Sequence, residues 1–204
     1  FDGDADRVFL VDEKGKSLSG SDTTALVAKN ILQKDPGSTI IHNLICSRAV
    51  QDTIERHGGQ ALRSRVGHSY IKQLMAETGA AFAGEHSGHY YFRDNYRADS
   101  GLIAALLVMQ EMSDKDISLS SLRKDYGSYS STGEINFRVG NPTDVIERIS
   151  HIFSDYEHDY LDGLTVNADK WWFNLRPSNT EPLLRLNLEA DTAVTMERAF
   201  MKIR

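Results

Sequence analysis

Thr39-Ile40-Ile41-His42-Asn43-Leu44-Ile45 is the stretch on which the fold turns. It is a short run dominated by branched apolar residues, bounded by Pro36-Gly37 before it and Ser47 after it. Such a run reads as a strand buried on both faces. On its N-terminal side the pattern is helical: Asp22 to Gln33, with Ser21 as cap and Ala25, Leu26, Ile31 and Leu32 making most of one face. On its C-terminal side a second helix begins at Ser47 and ends near His57-Gly58-Gly59.

Working outward, the alternation continues. Ala61 to Ser64 reads as a strand and Ser69 to Glu77 as a helix stopped by Gly79. Ala80 to Ala83 reads as another strand. Asp99-Ser100 caps a strongly apolar helix that runs through Met112. Strand and helix alternating from residue 17 to about 112 predict an α/β unit with a largely parallel sheet. Upstream, Val8-Phe9-Leu10-Val11 reads as a strand, closed by a turn over Asp12 to Lys16.

Asp125 to Gly133 is polar and glycine-bearing and reads as an interdomain linker. Beyond it the order changes. Glu134 to Val139 alternates like a strand, and Pro142 opens a helix expected to reach about Tyr156. Leu164 to Asn167, Trp171 to Leu175 and Leu183 to Glu189 read as strands, and a last helix starts near Asp191-Thr192. In Leu183 to Glu189, Leu184, Leu186 and Leu188 share a face opposite Arg185, Asn187 and Glu189, which predicts a half-buried antiparallel strand. This tail reads as a small α+β domain.

The formal net charge of −6, with scattered lysines and arginines, argues against nucleic acid as the main partner. No apolar run approaches the ~20 residues of a membrane span, so no membrane partner is expected. The single cysteine, Cys46, reads as a buried structural thiol and fits a cytoplasmic protein. The chain opens inside a motif and without Met, so the expectation is a fragment of a longer protein.

Four segments offer chemistry. Asp2, Asp4 and Asp6 alternate with small residues beside Arg7. Three carboxylates turned to one point suit a hard divalent cation, and Arg7 a phosphate, although a solvated acidic turn has the same spacing. An EF-hand loop is excluded because its sixth position needs glycine and here is Arg7. Gly84-Glu85-His86-Ser87-Gly88-His89 carries Glu85 and Ser87, which can bond sugar hydroxyls. Arg65-Val66-Gly67-His68 precedes a helix, where a phosphate or an acid–base group can sit, although a lone histidine is commonly structural. Arg176-Pro177-Ser178-Asn179-Thr180-Glu181-Pro182 joins two strands with an arginine, hydroxyls and an amide in one loop. It reads either as a nest for an oxyanion or as a plain polar turn.

Taken in order, these four segments resemble the α-D-phosphohexomutase family, in its phosphomannomutase/phosphoglucomutase branch. Asp2 to Arg7 is similar to its metal loop, Val66-Gly67-His68 to its third-domain ligand loop, Gly84 to His89 to its sugar loop and Arg176 to Pro182 to its phosphate loop. The resemblance covers the C-terminal portion of a four-domain protein. It implies residues 1–16 as the end of domain II, 17–124 as a three-layer α/β domain III, 125–133 as linker and 134–204 as a TBP-like, antiparallel α+β domain IV.

The resemblance also implies roles. Mg²⁺ would be held by Asp2, Asp4 and Asp6, with Arg7, His68 and His89 as catalytic candidates. Gly67, Glu85, Ser87, Arg176, Ser178, Asn179 and Thr180 would bind substrate. The expected reaction interconverts hexose 1-phosphate and hexose 6-phosphate of mannose or glucose, through a phosphoserine enzyme and a hexose 1,6-bisphosphate intermediate. The serine would reside in missing N-terminal domains, which become the expected partner beside the phosphosugar. Two other readings stand beside it, a non-catalytic sugar-phosphate-binding fragment and a phosphoglucosamine mutase.

Overall fold

The computed structural model describes residues 1–126, 129–178 and 181–204. They form two compact units, Phe1–Ser128 and Tyr129–Arg204. In the first unit the order is α1 (Gly20–Lys34), β1 (Thr39–Asn43), α2 (Arg48–Arg56), β2 (Gln60–Ser64), α3 (His68–Thr78), β3 (Phe82–Gly84), β4 (Tyr90–Phe92), α4 (Gly101–Lys115) and α5 (Leu119–Leu122). The sheet order is β2-β1-β3-β4. The first three strands are parallel and β4 joins the edge antiparallel.

The sheet is buried on both faces, as the run at residues 39–45 predicts. Ile40 and Phe82 pack with Leu26, Val50, Ile54 and Val108 in one cluster. Ile41, Ala83 and Tyr91 pack on the other face with Ile71 and Met75 of α3. Helices on both faces of a mixed sheet give the three-layer α/β arrangement.

α1 is tied to α4 through a buried polar node. Lys29 Nζ lies 2.8 Å from Glu111 Oε1, and Asn30 donates to Glu111 Oε2 at 2.6 Å. Lys115, one turn on, completes the set at 2.7 Å from Glu111 Oε1. Burial raises the Glu111 carboxyl, and its lysine partners outweigh that, leaving it below the ordinary value.

The second unit holds a five-stranded antiparallel sheet in the order β5-β9-β8-β7-β6. Its strands are β5 (Ser130–Arg138), β6 (Glu157–Asp159), β7 (Leu164–Asn167), β8 (Trp171–Pro177) and β9 (Leu183–Ala190). Its helices are α6 (Pro142–Ile152) and α7 (Ala193–Ile203). Leu164, Val166, Phe173, Leu175, Leu184, Leu186 and Leu188 form its core with Ile149 and Ala199 of the helices.

Several local expectations need correction. Val8 to Val11 forms no strand; only Val11 makes an isolated bridge, to Ser17. The cap of α1 is Ser19, not Ser21: Ser19 Oγ accepts from Asp22 N and Asp22 Oδ2 accepts from Ser19 N, both at 3.0 Å. The strand from Thr39 stops at Asn43, because residues 44–46 turn away. β5 has begun at Ser130, inside the expected linker, and a register shift between Ser131 and Glu134 absorbs its glycine. α6 ends at Ile152, with Phe153 as its C-cap. Asn187 and Glu189 are buried, so β9 is covered on both faces rather than half-buried.

Candidate functional site

The aspartate loop folds back on itself through a tight turn. Ala5 N donates to Asp2 O at 3.3 Å, and Ala5 takes the left-handed conformation at φ 60°. A non-glycine residue there costs on the order of 1 kcal/mol, so the surrounding contacts hold it in place. The result is convergence: one carboxylate oxygen from each of Asp2, Asp4 and Asp6 lies within 4.8 Å of the others. Arg7 Nε sits 2.6 Å from Asp2 Oδ2 and 3.9 Å from Asp6 Oδ1. Partial desolvation pushes the Asp2 carboxyl up, and Arg7 more than reverses this, so Asp2 stays below the ordinary carboxylate range. Asp6 Oδ1 is buried and has no hydrogen-bond partner among the described residues.

Three hydrogen bonds, two of them between backbones, fix this loop against the rest of the unit. Val8 N donates to Gly88 O at 3.3 Å, Tyr90 OH to Val8 O at 3.4 Å, and Gly101 N to Asp6 O at 3.1 Å. Gly101 is required here: a Cβ on it would stand 2.9 Å from the Arg7 carbonyl carbon and 3.1 Å from Val8 N. The first turn of α4 is thus pressed against the loop, and any side chain would separate them.

The segment Glu85 to His89 is a hairpin loop between β3 and β4. Glu85 N donates to His89 O at 2.9 Å and Gly88 N to Glu85 O at 3.1 Å, with Gly88 at φ 90°. Glu85 is only 2% exposed. Its Oε1 accepts from the Tyr91 hydroxyl at 2.6 Å and its Oε2 from Asn43 Nδ2 at 3.2 Å. Each oxygen keeps lone-pair capacity for a further donor. Burial and the adjacent Glu85 charge push the Tyr91 phenol well up, so it serves as a donor throughout the working pH range. Ser87 is half-buried at the tip. His86 Nδ1 lies 2.9 Å from Ser21 Oγ, so Ser21 braces this loop from the first turn of α1.

His89 meets the aspartates. Its Nδ1 lies 2.9 Å from Asp99 Oδ2 and 3.7 Å from Asp6 Oδ2. Asp99 in turn takes Lys72 Nζ at 3.2 Å. Burial raises the Asp99 carboxyl, and His89 and Lys72 together bring it below the ordinary value. Lys72 belongs to α3, whose N-cap is Gly67 at φ 132° and whose first residue, His68, is exposed. Asp2, Asp4, Asp6, Arg7 and His89 therefore form one cluster, with Glu85 at the far end of the hairpin loop that carries His89.

In the second unit, Arg176 is the penultimate residue of β8 and is 8% exposed. Burial lowers its guanidinium, and the facing Glu134 carboxylate opposes the shift. Ser178 N donates to Leu183 O at 2.8 Å, and Ser178 Oγ accepts from Arg185 Nη2 at 3.4 Å. Asn179 and Thr180 lie outside the described residues.

Two residues of the first cluster have no mark in the sequence. Asn43 reaches Glu85 across 42 positions, and Asp99 reaches His89 across ten. Asn43 ends a parallel strand, where ligands collect, but the sequence pattern carries that strand on to Ile45. Asp99 reads only as part of a helix cap.

Two family models match in succession: "Phosphoglucomutase/phosphomannomutase, alpha/beta/alpha domain III" over residues 19–129, and "Phosphoglucomutase/phosphomannomutase, C-terminal domain" over residues 134–204. The phosphomannomutase of Methanocaldococcus jannaschii is 46% identical over 100% of this chain and 45% of its own length. A phosphoglucomutase/phosphomannomutase family protein of Burkholderia thailandensis superposes with a TM-score of 0.86 at 30% identity, over 100% of this chain and 44% of that one. The Aspergillus fumigatus N-acetylphosphoglucosamine mutase, solved with GlcNAc-6P and magnesium, shares the fold at a TM-score of 0.75 and 15% identity, over 99% and 50%. The chain thus spans about 45% of the curated relative's length. With both of its units matched, in order and by consecutive domains of one architecture, the chain belongs to the phosphoglucomutase/phosphomannomutase family.

Proposed function

We propose that this chain is the C-terminal part of an enzyme that interconverts hexose 1-phosphate and hexose 6-phosphate, with mannose and glucose as its sugars. The reading runs through a phosphoserine enzyme and a hexose 1,6-bisphosphate intermediate, with the serine in upstream domains. Residues 1–16 then close domain II, 17–124 are domain III, and domain IV takes in β5 from Ser130 onward, so the joining segment is shorter than 125–133. The observation that carries the reading is the convergence of Asp2, Asp4 and Asp6 within 4.8 Å beside Arg7.

That cluster fits Mg²⁺. It offers hard oxygen donors at one point, and Asp6 Oδ1 is buried with no hydrogen-bond partner among the described residues. The magnesium in the Aspergillus enzyme's structure supports the choice of ion. Mg²⁺ at Asp2, Asp4 and Asp6 supplies charge neutralisation for a transferring phosphoryl group. Arg7, held in place by Asp2, adds a donor fork for the same phosphate. Glu85 accepts a sugar hydroxyl on the lone pairs that Tyr91 and Asn43 leave open, and Ser87 bonds a second hydroxyl. His89, oriented by Asp99, holds or moves a proton at Nε2, while His68 and Gly67 contact the ligand from the start of α3. Arg176, Ser178, Asn179 and Thr180 grip the phosphate that is not reacting, which contributes positioning to the transfer.

The test is turnover by the intact protein. Mannose 1-phosphate and glucose 1-phosphate are supplied with Mg²⁺ and catalytic hexose 1,6-bisphosphate, and the 6-phosphates are measured. Conversion of both sugars, lost on chelation of the metal, is the expected result. No conversion of either sugar refutes the proposal.

A further inference from the structure

Within the second unit, Glu134 stands where no feature of the sequence marks it. It follows the register shift of β5 and lies opposite Asn187 on β9. Two residues along, on the same face of the sheet, Arg176 of β8 pairs directly with Arg185 of β9. Like charges facing each other across two strands are destabilising unless something answers both. One carboxylate does so. Glu134 Oε2 lies 3.0 Å from Arg176 Nη2, and Glu134 Oε1 lies 3.6 Å from Arg185 Nη1.

The bridge leaves other donors unused. Arg176 Nε, Arg185 Nε and Asn187 Nδ2 are buried and have no hydrogen-bond partner among the described residues. Arg176 and Arg185 face each other across β8 and β9, and Asn187 lies two residues along β9 on the same face. A buried donor without an acceptor costs on the order of 1–3 kcal/mol. Three together, two of them on guanidiniums, are an arrangement that an anion with several oxygens completes.

We propose that Glu134 is a positioning residue for phosphate recognition. Its carboxylate occupies one Nη of each arginine, cancels their mutual repulsion and fixes both guanidiniums, so that the Nε–H groups stay available to a phosphoryl oxygen. Glu134, with Asp162 also acting on Arg176, offsets part of the charge of the two guanidiniums. The inference rests on the reading of Arg176 as a phosphate ligand, and goes beyond it by naming what sets that arginine's geometry.

The test is isothermal titration of the 204-residue chain with inorganic phosphate and with glucose 1-phosphate. Wild type is compared with Glu134→Gln, Glu134→Asp and Arg176→Ala, with thermal midpoints measured alongside. The expected result is roughly tenfold weaker binding for Glu134→Gln, partial recovery in Glu134→Asp, and loss of binding in Arg176→Ala. Recovery by aspartate marks a role of the charge in aiming the arginines. Glu134→Asp binding no better than Glu134→Gln, with both midpoints lowered, would overturn the inference in favour of a structural role. Loss of binding in Arg176→Ala with unchanged or tighter binding in Glu134→Gln would overturn the inference alone. Unchanged binding in Arg176→Ala would overturn both the inference and the phosphate reading of that loop.

Discussion

His89 Nδ1 and Asp99 Oδ2 lie 2.9 Å apart, joined across a bend of chain in which Asp99 bridges back to Tyr91. The carboxylate accepts, so Nδ1 carries the hydrogen and Nε2 is the nitrogen left for a ligand. Lys72 holds Asp99 from α3 at 3.2 Å. Asp99→Asn removes the charge that sets this tautomer. In the intact enzyme it should lower kcat by about 10- to 100-fold with little change in KM. Equal kcat for wild type and Asp99→Asn would show that this pair does not serve turnover.

The aspartate cluster makes a second prediction. Asp4 is exposed and contributes one of the three converging oxygens. Asp4→Asn should raise the Mg²⁺ concentration for half-maximal activity by about tenfold and lower kcat, without altering the circular dichroism spectrum. Full activity of the variant at limiting Mg²⁺ would remove Asp4 from the metal's ligands.

The Lys29–Glu111 node predicts a stability effect remote from the site. Glu111→Ala removes the buried carboxylate that answers Lys29 Nζ and Asn30 Nδ2 and should cost roughly 3 kcal/mol in urea unfolding. Replacing both partners, as Lys29→Met with Glu111→Leu, should recover most of that loss, because no uncompensated charge remains. A double variant as unstable as Glu111→Ala would count against this account.

His42 predicts an acid limb. It is fully enclosed in β1, and burial lowers its pKa from 6.5 to about 4, against a hydrogen bond to the Asn43 carbonyl. The unfolded chain therefore binds a proton that the folded chain refuses between those values. Stability is full above pH 6.5 and falls as pH drops toward 4, by on the order of 3 kcal/mol from this group. His42→Gln should flatten that limb. Identical pH dependence in the two proteins would assign it to other groups.

Cys46 should be chemically silent. Burial pushes its thiol up to about 12, and its Sγ donates to Asn43 Oδ1 at 3.1 Å. Ellman's reagent should react only after denaturation. Stoichiometric reaction with the native chain would contradict the enclosed position.

Much of the architecture was legible because long periodic segments and glycine or serine stops agree: α2, α3 and α4 begin and end close to where their caps predict. What escaped was set by partners rather than by the segment itself. Val8 to Val11 has strand composition but no neighbouring strand to pair with, so composition alone misleads there. Ser19 and Ser21 are both competent caps. The reciprocal bond with Asp22 selects Ser19, which frees Ser21 to hold His86. β4 and β6, three residues each, are too short to show a period. The aspartates, Glu85 and Arg176 were readable as residue types in motifs. Asn43, Asp99 and Glu134, which bond Glu85, His89 and Arg176, were not, because their partners come from other elements.

The short hairpin between β3 and β4 has a consequence for how such a site diversifies. A parallel strand leaves its sheet by a long crossover, whose length and path drift together with its sequence. Here the residues from Glu85 to His89 leave and return on adjacent antiparallel strands, and Glu85 N to His89 O closes them at 2.9 Å. Both feet of the loop are therefore anchored by main-chain bonds that do not depend on the identity of positions 86 and 87. Substitutions at those two positions change the side chains that the loop presents while its two feet stay bonded to each other, a changeable tip on a fixed mount.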